Sequence, residues 1–89
     1  MKYQLFYTLK SKKDLSGLDK KISIRILNKL DFFVNSGEPL KYAKKLSDHK
    51  TGTYRFRVGN YRAIFDIDKK GKITILLILR VKHRKEVYL

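Results

Sequence analysis

The chain has 89 residues, 43% of them hydrophobic, no cysteine, and a formal net charge of +14 from 22 Lys plus Arg against 8 Asp plus Glu. That length fits one domain, 1-89, with one modest core; the missing cysteines, two histidines and scattered acids argue against a disulfide framework or a metal centre. The longest nearly unbroken apolar run, Ile73 to Leu79, is far short of the ~20 residues that span a membrane, and Met1 to Leu9 lacks a signal-peptide layout, so the expectation is a cytoplasmic protein, not membrane-bound, with a polyanionic partner, either nucleic acid or an acidic protein.

Met1 to Leu9, rich in Tyr, Phe and Leu, predicts a first strand. Ser11 stands as an N-cap with Asp14 as its capping-box acid, and Gly17 ends that short helix. From Leu18 to Ser36, Leu18, Ile22, Ile26, Leu30, Phe33 and Val34 recur at spacings of three and four, an apolar helical stripe that Gly37 and Pro39 stop. Leu40 to Gly52 is polar and Lys-rich and reads as a loop or irregular edge anchored by Leu46. Thr53 to Val58 alternates, with Tyr54, Phe56 and Val58 on one face and Arg55 and Arg57 on the other. Gly59-Asn60 is a two-residue hairpin signal, Tyr61 to Ile67 the partner strand, and Asp68 to Gly71 a second turn. Ile73 to Val81 is apolar but for Thr74 and Arg80, the pattern of a strand buried on both faces near the sheet centre, and Lys82 to Leu89 adds a strand or a turn of helix. The order predicts an α+β fold: an N-terminal strand, a helical hairpin, then a three-stranded antiparallel meander, with the helices packed on one face of the sheet.

The two-residue turn sets a register in which Val58 faces Tyr61, Phe56 faces Ala63 and Tyr54 faces Phe65, an apolar surface for the helices. On the other surface Arg57 lies opposite Arg62, with Arg55 diagonal to it. Like charges directly opposite destabilise a sheet, yet three guanidinium forks on one rigid face would make a phosphate-binding platform. The same arginines also suit a merely solvated face, with Asp66 beside them to neutralise one. The tail, His83-Arg84-Lys85-Glu86-Val87-Tyr88, follows the apolar strand and would deliver a proton shuttle, a cation and an aromatic ring to the platform's edge. Asp66, Asp68 and Lys70 superficially resemble an acid-acid-x-Lys nuclease motif, but Asp68 to Gly71 reads better as a turn. No residue here is an evident general base, since arginine is too basic and an unperturbed tyrosine titrates near ~10.

The run Gly52-Thr53-Tyr54-Arg55-Phe56-Arg57-Val58-Gly59-Asn60-Tyr61-Arg62, an apolar strand, and then Val81-Lys82-His83-Arg84-Lys85-Glu86-Val87-Tyr88 resembles the RelE/ParE superfamily of bacterial and archaeal toxins. Lys13-Asp14-Leu15 and Lys45-Leu46 fit weaker landmarks of that family. The resemblance implies the toxin of a type II toxin–antitoxin system, a ribosome-dependent endoribonuclease that cuts mRNA in the A site. The RNA 2′-hydroxyl attacks its own phosphodiester without a metal, and basic side chains stabilise the crowded phosphate. By the same resemblance Arg55 and Arg57 stand where two phosphate-contacting lysines occur, and Arg62 where a transition-state-stabilising arginine occurs. Arg84 matches the arginine that assists the leaving group and Tyr88 the terminal tyrosine that stacks on the base or helps activate the 2′-hydroxyl; His83 is a candidate for proton transfer. The chain departs from the pattern at Lys82, where many members have glycine, and in a tail two residues shorter between Arg84 and Tyr88. The implied partners are a cognate acidic antitoxin, the ribosome and mRNA, and operator DNA only as the toxin–antitoxin complex, with no cofactor and no metal. Two other readings stand beside this one: a ParE-type inhibitor of DNA gyrase on the same fold, and a non-enzymatic RNA- or ribosome-binding protein.

Overall fold

A computed structural model describes residues 2–46 and 54–87. Strand β1 (Lys2–Tyr7) leads into helices α1 (Leu9–Ser16) and α2 (Lys20–Asn35), then a single 3-10 turn over Pro39–Tyr42. Strands β2 (Ala43–Lys45), β3 (Tyr54–Val58), β4 (Tyr61–Lys70) and β5 (Ile73–His83) and a final helical turn, α3 (Arg84–Val87), complete the chain. The five strands form one sheet in the order β1-β5-β4-β3-β2, with β1 parallel to β5 and every other pair antiparallel. The expected α+β order and the helices on one face are both present. The sheet gains one strand, β2, from the segment expected as a loop or irregular edge.

Helix α1 starts earlier than Ser11. Thr8 is its N-cap, accepting from the Ser11 N–H at 3.2 Å, while Ser11 is fully buried inside the helix and donates to the Thr8 carbonyl at 2.8 Å. The reason is tertiary: Thr8 is tied to β5 through its N–H to Ile78 O and its hydroxyl to Leu79 O, both at 3.0 Å, so the chain turns where β1 ends. Asp14, expected as a capping acid, is engaged elsewhere. Helix α2 begins at its Asp19 N-cap, which accepts from the Lys21 N–H at 2.9 Å. It buries Ile26, Leu30 and Phe33, with Leu18, Ile22 and Val34 packed around them, as the apolar stripe predicts. Leu46, the expected anchor, is half-buried, while Pro39 at the head of the 3-10 turn is fully buried; the expected loop beyond Leu46 and the strand start at Thr53 lie outside the described residues.

The core is an aromatic stack running from helix to sheet: Phe33 on Phe56 at 4.8 Å, Phe56 on Phe65 at 4.3 Å, and Phe65 on Tyr54 at 5.6 Å between centroids. Tyr7 of β1 packs against this core, and its hydroxyl is buried without a hydrogen-bond partner among the described residues. Burial foremost, and then the charge of Asp31, push that phenol up to about 12. Removing an unsatisfied buried hydroxyl recovers its desolvation cost, so Tyr7→Phe is expected to raise stability by about 1 kcal/mol, read as a higher midpoint in chemical denaturation.

The β3–β4 hairpin has the predicted register, with Gly59 at φ 59° opening the turn. Two expectations about the next hairpin change. Asp68 to Lys70 remain in β4, paired with Ile75 to Ile73, and the chain reverses at Gly71, whose φ is 62°. Strand β5 lies second from the edge and extends to His83, while β4 is central. Thr74, Leu76 and Ile78 are buried, but Ile75, Leu77 and Leu79 are only half-buried, because helices cover one face alone. A β-bulge interrupts the β4–β5 ladder: Phe65 faces Ile78, yet Ile64 faces Arg80.

Candidate functional site

The open face of the sheet concentrates positive charge at the end nearest the Gly59-Asn60 turn. Directly opposed residues form a row across three strands, Arg57 on β3, Arg62 on β4 and Lys82 on β5. A second row pairs Lys44 on β2 with Arg55 on β3. Tyr42, Lys44, Arg55, Arg57 and Arg62 line a cleft of about 350 Å³. The strand alternation that sends Tyr54, Phe56 and Val58 into the core is what puts Arg55 and Arg57 together on the opposite side.

These guanidiniums differ in freedom. Arg62 is 6% exposed, and its Nη1 donates to the Gly59 carbonyl at 3.0 Å and the Tyr61 carbonyl at 2.9 Å, so the hairpin turn orients the fork before any ligand arrives. Arg55 is half-buried and Arg57 exposed. A pre-oriented buried cation flanked by a more exposed one is suited to an anion whose charge rises during a reaction. The arrangement costs stability, because Arg57 faces Arg62 directly. Arg57→Gln is therefore expected to raise the unfolding free energy by a few tenths to ~1 kcal/mol, measured by urea denaturation.

The tail residues are distributed differently. His83 opposes Tyr61 on the helix side, ring edge to ring face at 5.4 Å between centroids, and its Nδ1 accepts from the Lys85 N–H at 3.2 Å. It thus lies on the other face of the sheet from Arg55, Arg57 and Arg62. Arg84 is exposed, and its N–H donates to the Asn60 carbonyl at 2.7 Å, which anchors α3 beside the hairpin turn at the basic end of the sheet. Tyr88 lies outside the described residues. Two lining residues, Tyr42 and Lys44, have no sequence signal beyond the Lys44-Lys45 doublet, since a three-residue strand is too short to show a period. Among the described residues no three His, Cys, Asp or Glu side chains cluster as metal ligands would.

Arg80 is excluded from the cleft by Asp14. The α1 carboxylate accepts from Arg80 Nε at 2.8 Å, from Arg80 Nη2 at 3.0 Å and from the Val81 N–H at 2.9 Å. Burial by itself would raise the Asp14 carboxyl, but these hydrogen bonds and the charges of Arg80 and Lys82 hold it below the ordinary carboxylate value. The same hydrogen bond raises Arg80 further.

Residues 5–88 match the family model described as the ParE toxin of type II toxin–antitoxin systems, parDE. The chain is 34% identical over 88 residues to Toxin RelG of Mycobacterium tuberculosis, covering 99% of this chain and 98% of that protein. It superposes on a chain of the M. tuberculosis RelBE2 toxin–antitoxin complex with a TM-score of 0.71 at 31% identity, covering 94% of this chain and 100% of that one. Against the RelB-RelE antitoxin–toxin complex of Methanococcus jannaschii the TM-score is 0.58 at 33% identity, covering 93% and 94% of the two chains. The fold is thus one shared with solved toxins, and the chain belongs to the RelE/ParE family of type II toxin–antitoxin toxins.

Proposed function

We propose that the protein is a ribosome-dependent endoribonuclease that cleaves mRNA in the ribosomal A site. The observation that carries this reading is the cleft in which Arg55, Arg57 and Arg62 converge with Lys44. In the proposed reaction the 2′-oxygen attacks the adjacent phosphorus and loses its proton. The 5′-oxygen of the next nucleotide leaves and gains one, with a 2′,3′-cyclic phosphate as the product end. The charge on the five-coordinate phosphate is what Arg62, already held by the turn carbonyls, would stabilise, with Arg55 and Arg57 gripping the flanking backbone. Such chemistry runs largely on positioning and charge. Arg84, anchored at the same end of the sheet, is the proposed leaving-group residue, and Tyr88 the proposed stacking residue. His83, across the sheet, would act only by moving around that edge.

The partner proposed is an acidic antitoxin, as expected for a chain of charge +14 whose structural neighbours come from antitoxin complexes. A groove of about 500 Å³ on α2, lined by Ile24 and Phe32 between Lys21, Arg25 and Lys29, offers an acidic amphipathic helix both apolar contact and opposite charge. Operator DNA would be bound only by that complex.

The test is primer extension on a defined mRNA with purified protein, with and without 70S ribosomes. Cuts only with ribosomes, within A-site codons, are expected. Cuts without ribosomes would replace this reading with a free ribonuclease. Because the matching family model is that of the ParE toxins, gyrase inhibition is the second reading. No cuts in either tube, together with gyrase-dependent plasmid cleavage, would favour it.

A further inference from the structure

Strand β5 changes phase midway. Up to Ile78 its even-numbered residues, Thr74, Leu76 and Ile78, are the buried ones; beyond the bulge the buried residue is Val81. One extra residue in β5 causes the switch, as a β-bulge does. Its consequence falls on Lys82. With the bulge, Lys82 is opposite Arg62 on the open face; in an unbulged ladder continued from Phe65–Ile78, Lys82 would be opposite Tyr61 and face the helices.

The bulge is held from outside the sheet. Asp14 accepts three hydrogen bonds from the two residues that follow the inserted position, two from the Arg80 side chain and one from the Val81 N–H. This one carboxylate holds the Arg80 side chain and fixes the backbone directly before Lys82. Lys82 is half-buried, its charge is felt at Asp14, and it stands two strand spacings from Arg57, about 10 Å.

We propose that Lys82 is a further phosphate-binding residue beside the basic cleft, contacting single-stranded RNA one position beyond Arg62, and that Asp14 positions it by holding the β5 bulge. The inference rests on the reading of the cleft as an RNA site. A row of three cations across adjacent strands follows a polynucleotide backbone better than it grips one isolated anion. The central member, Arg62, is buried and pre-oriented, while Arg57 and Lys82 extend the row to either side.

The experiment is fluorescence titration of the full chain with a short 2′-O-methyl oligoribonucleotide, which binds but has no free 2′-hydroxyl to attack, across a range of salt. K82A is expected to weaken binding about 5-fold and to lower the salt slope by roughly 0.7, one phosphate contact on a single strand; K82R restores both. K20A, an exposed lysine on α2, is the control and leaves both unchanged. D14N lowers the slope as K82A does, and the D14N/K82A double variant goes no lower. A variant that merely unfolds loses affinity in proportion to its folded fraction and keeps its slope, so the slope separates positioning from stability. D14E, which moves the carboxylate but keeps its charge, gives the same reading if D14N folds poorly.

A K82A slope equal to wild type, or a K20A loss equal to that of K82A, overturns the Lys82 assignment. A folded D14N or D14E with the wild-type slope overturns the Asp14 role. A loss in K82A confined to binding of poly-glutamate, with RNA binding intact, assigns Lys82 to an acidic protein partner and overturns the proposal. R57A distinguishes the levels: if it too leaves RNA binding untouched, the RNA reading of the cleft has failed, whereas a large R57A effect with a silent K82A refutes only this inference.

Discussion

Arg62→Ala is expected to lower ribosome-dependent cleavage by about 100-fold or more, the scale on which removing one pre-oriented donor to a developing anion is felt. Arg62 is the sharpest test because it is the most buried of the three hairpin arginines. It is 6% exposed, and the Gly59 and Tyr61 carbonyls orient its guanidinium. Part of its side chain is therefore spent on the fold, so the alanine variant will also lose some stability. Arg62→Lys separates the two effects: it keeps a cation but loses the planar fork, and is expected to retain more fold than alanine while recovering little activity. Single-turnover cleavage on programmed ribosomes gives the rate, and circular dichroism confirms the folded fraction. An alanine variant that folds and cleaves at the wild-type rate would remove Arg62 from the site and with it the present reading of the cleft.

Asp14→Ala is expected to cost about 2–3 kcal/mol of stability, the largest loss from any polar residue considered. Three charge-assisted or backbone hydrogen bonds converge on this carboxylate, and the pair is partly buried, with side-chain exposures of 17% for Asp14 and 33% for Arg80. Breaking a fully buried pair costs ~3–5 kcal/mol because the surviving charge is stranded; partial exposure of Arg80 places this case lower. For a chain of this size the melting temperature should fall by roughly 10–20 °C.

The pH dependence has a definite sign. The folded carboxyl titrates below its ordinary value. The unfolded chain therefore takes up the Asp14 proton first as pH falls. The stabilisation is fully present above the ordinary carboxylate range near ~4 and is lost as pH drops through the depressed folded value. Asp14→Asn removes this contribution and flattens the acid limb. Denaturation midpoints from neutral pH down to strongly acid pH would show the two curves converging; curves that stay parallel would mean the ion pair does not set the acid stability.

What could be read before folding was considered follows from periodicity and short-range turn chemistry. The stripe from Leu18 to Val34 needed only helical spacing, and the hairpin register needed only the Gly59-Asn60 turn between two alternating strands. Once that register was set, Arg55, Arg57 and Arg62 had to share a face. The three-residue strand β2 carries no period of its own. Its lysine joins the site only because Ala43–Lys45 finds β3 as a partner.

The remaining differences share a cause in contacts between residues far apart in sequence. Ser11 satisfies local N-cap rules, but Thr8 caps the helix because β5 holds it there. Asp14 fits a local capping box, yet its stronger donors are 66 and 67 positions away, at Arg80 and Val81. Ile73 to Leu79 looks buried on both faces because every residue but Thr74 is apolar, but the two preceding helices cover only one side. The sequence by itself determined the element order, the apolar faces and the basic hairpin, all governed by spacings of two to four residues. Tertiary structure alone decided where α1 starts, that β2 completes the cleft, and that the bulge turns Lys82 toward Arg62 and leaves His83 on the helix side. Such a phase change depends on a single inserted residue stabilised from another element, and no local pattern encodes it.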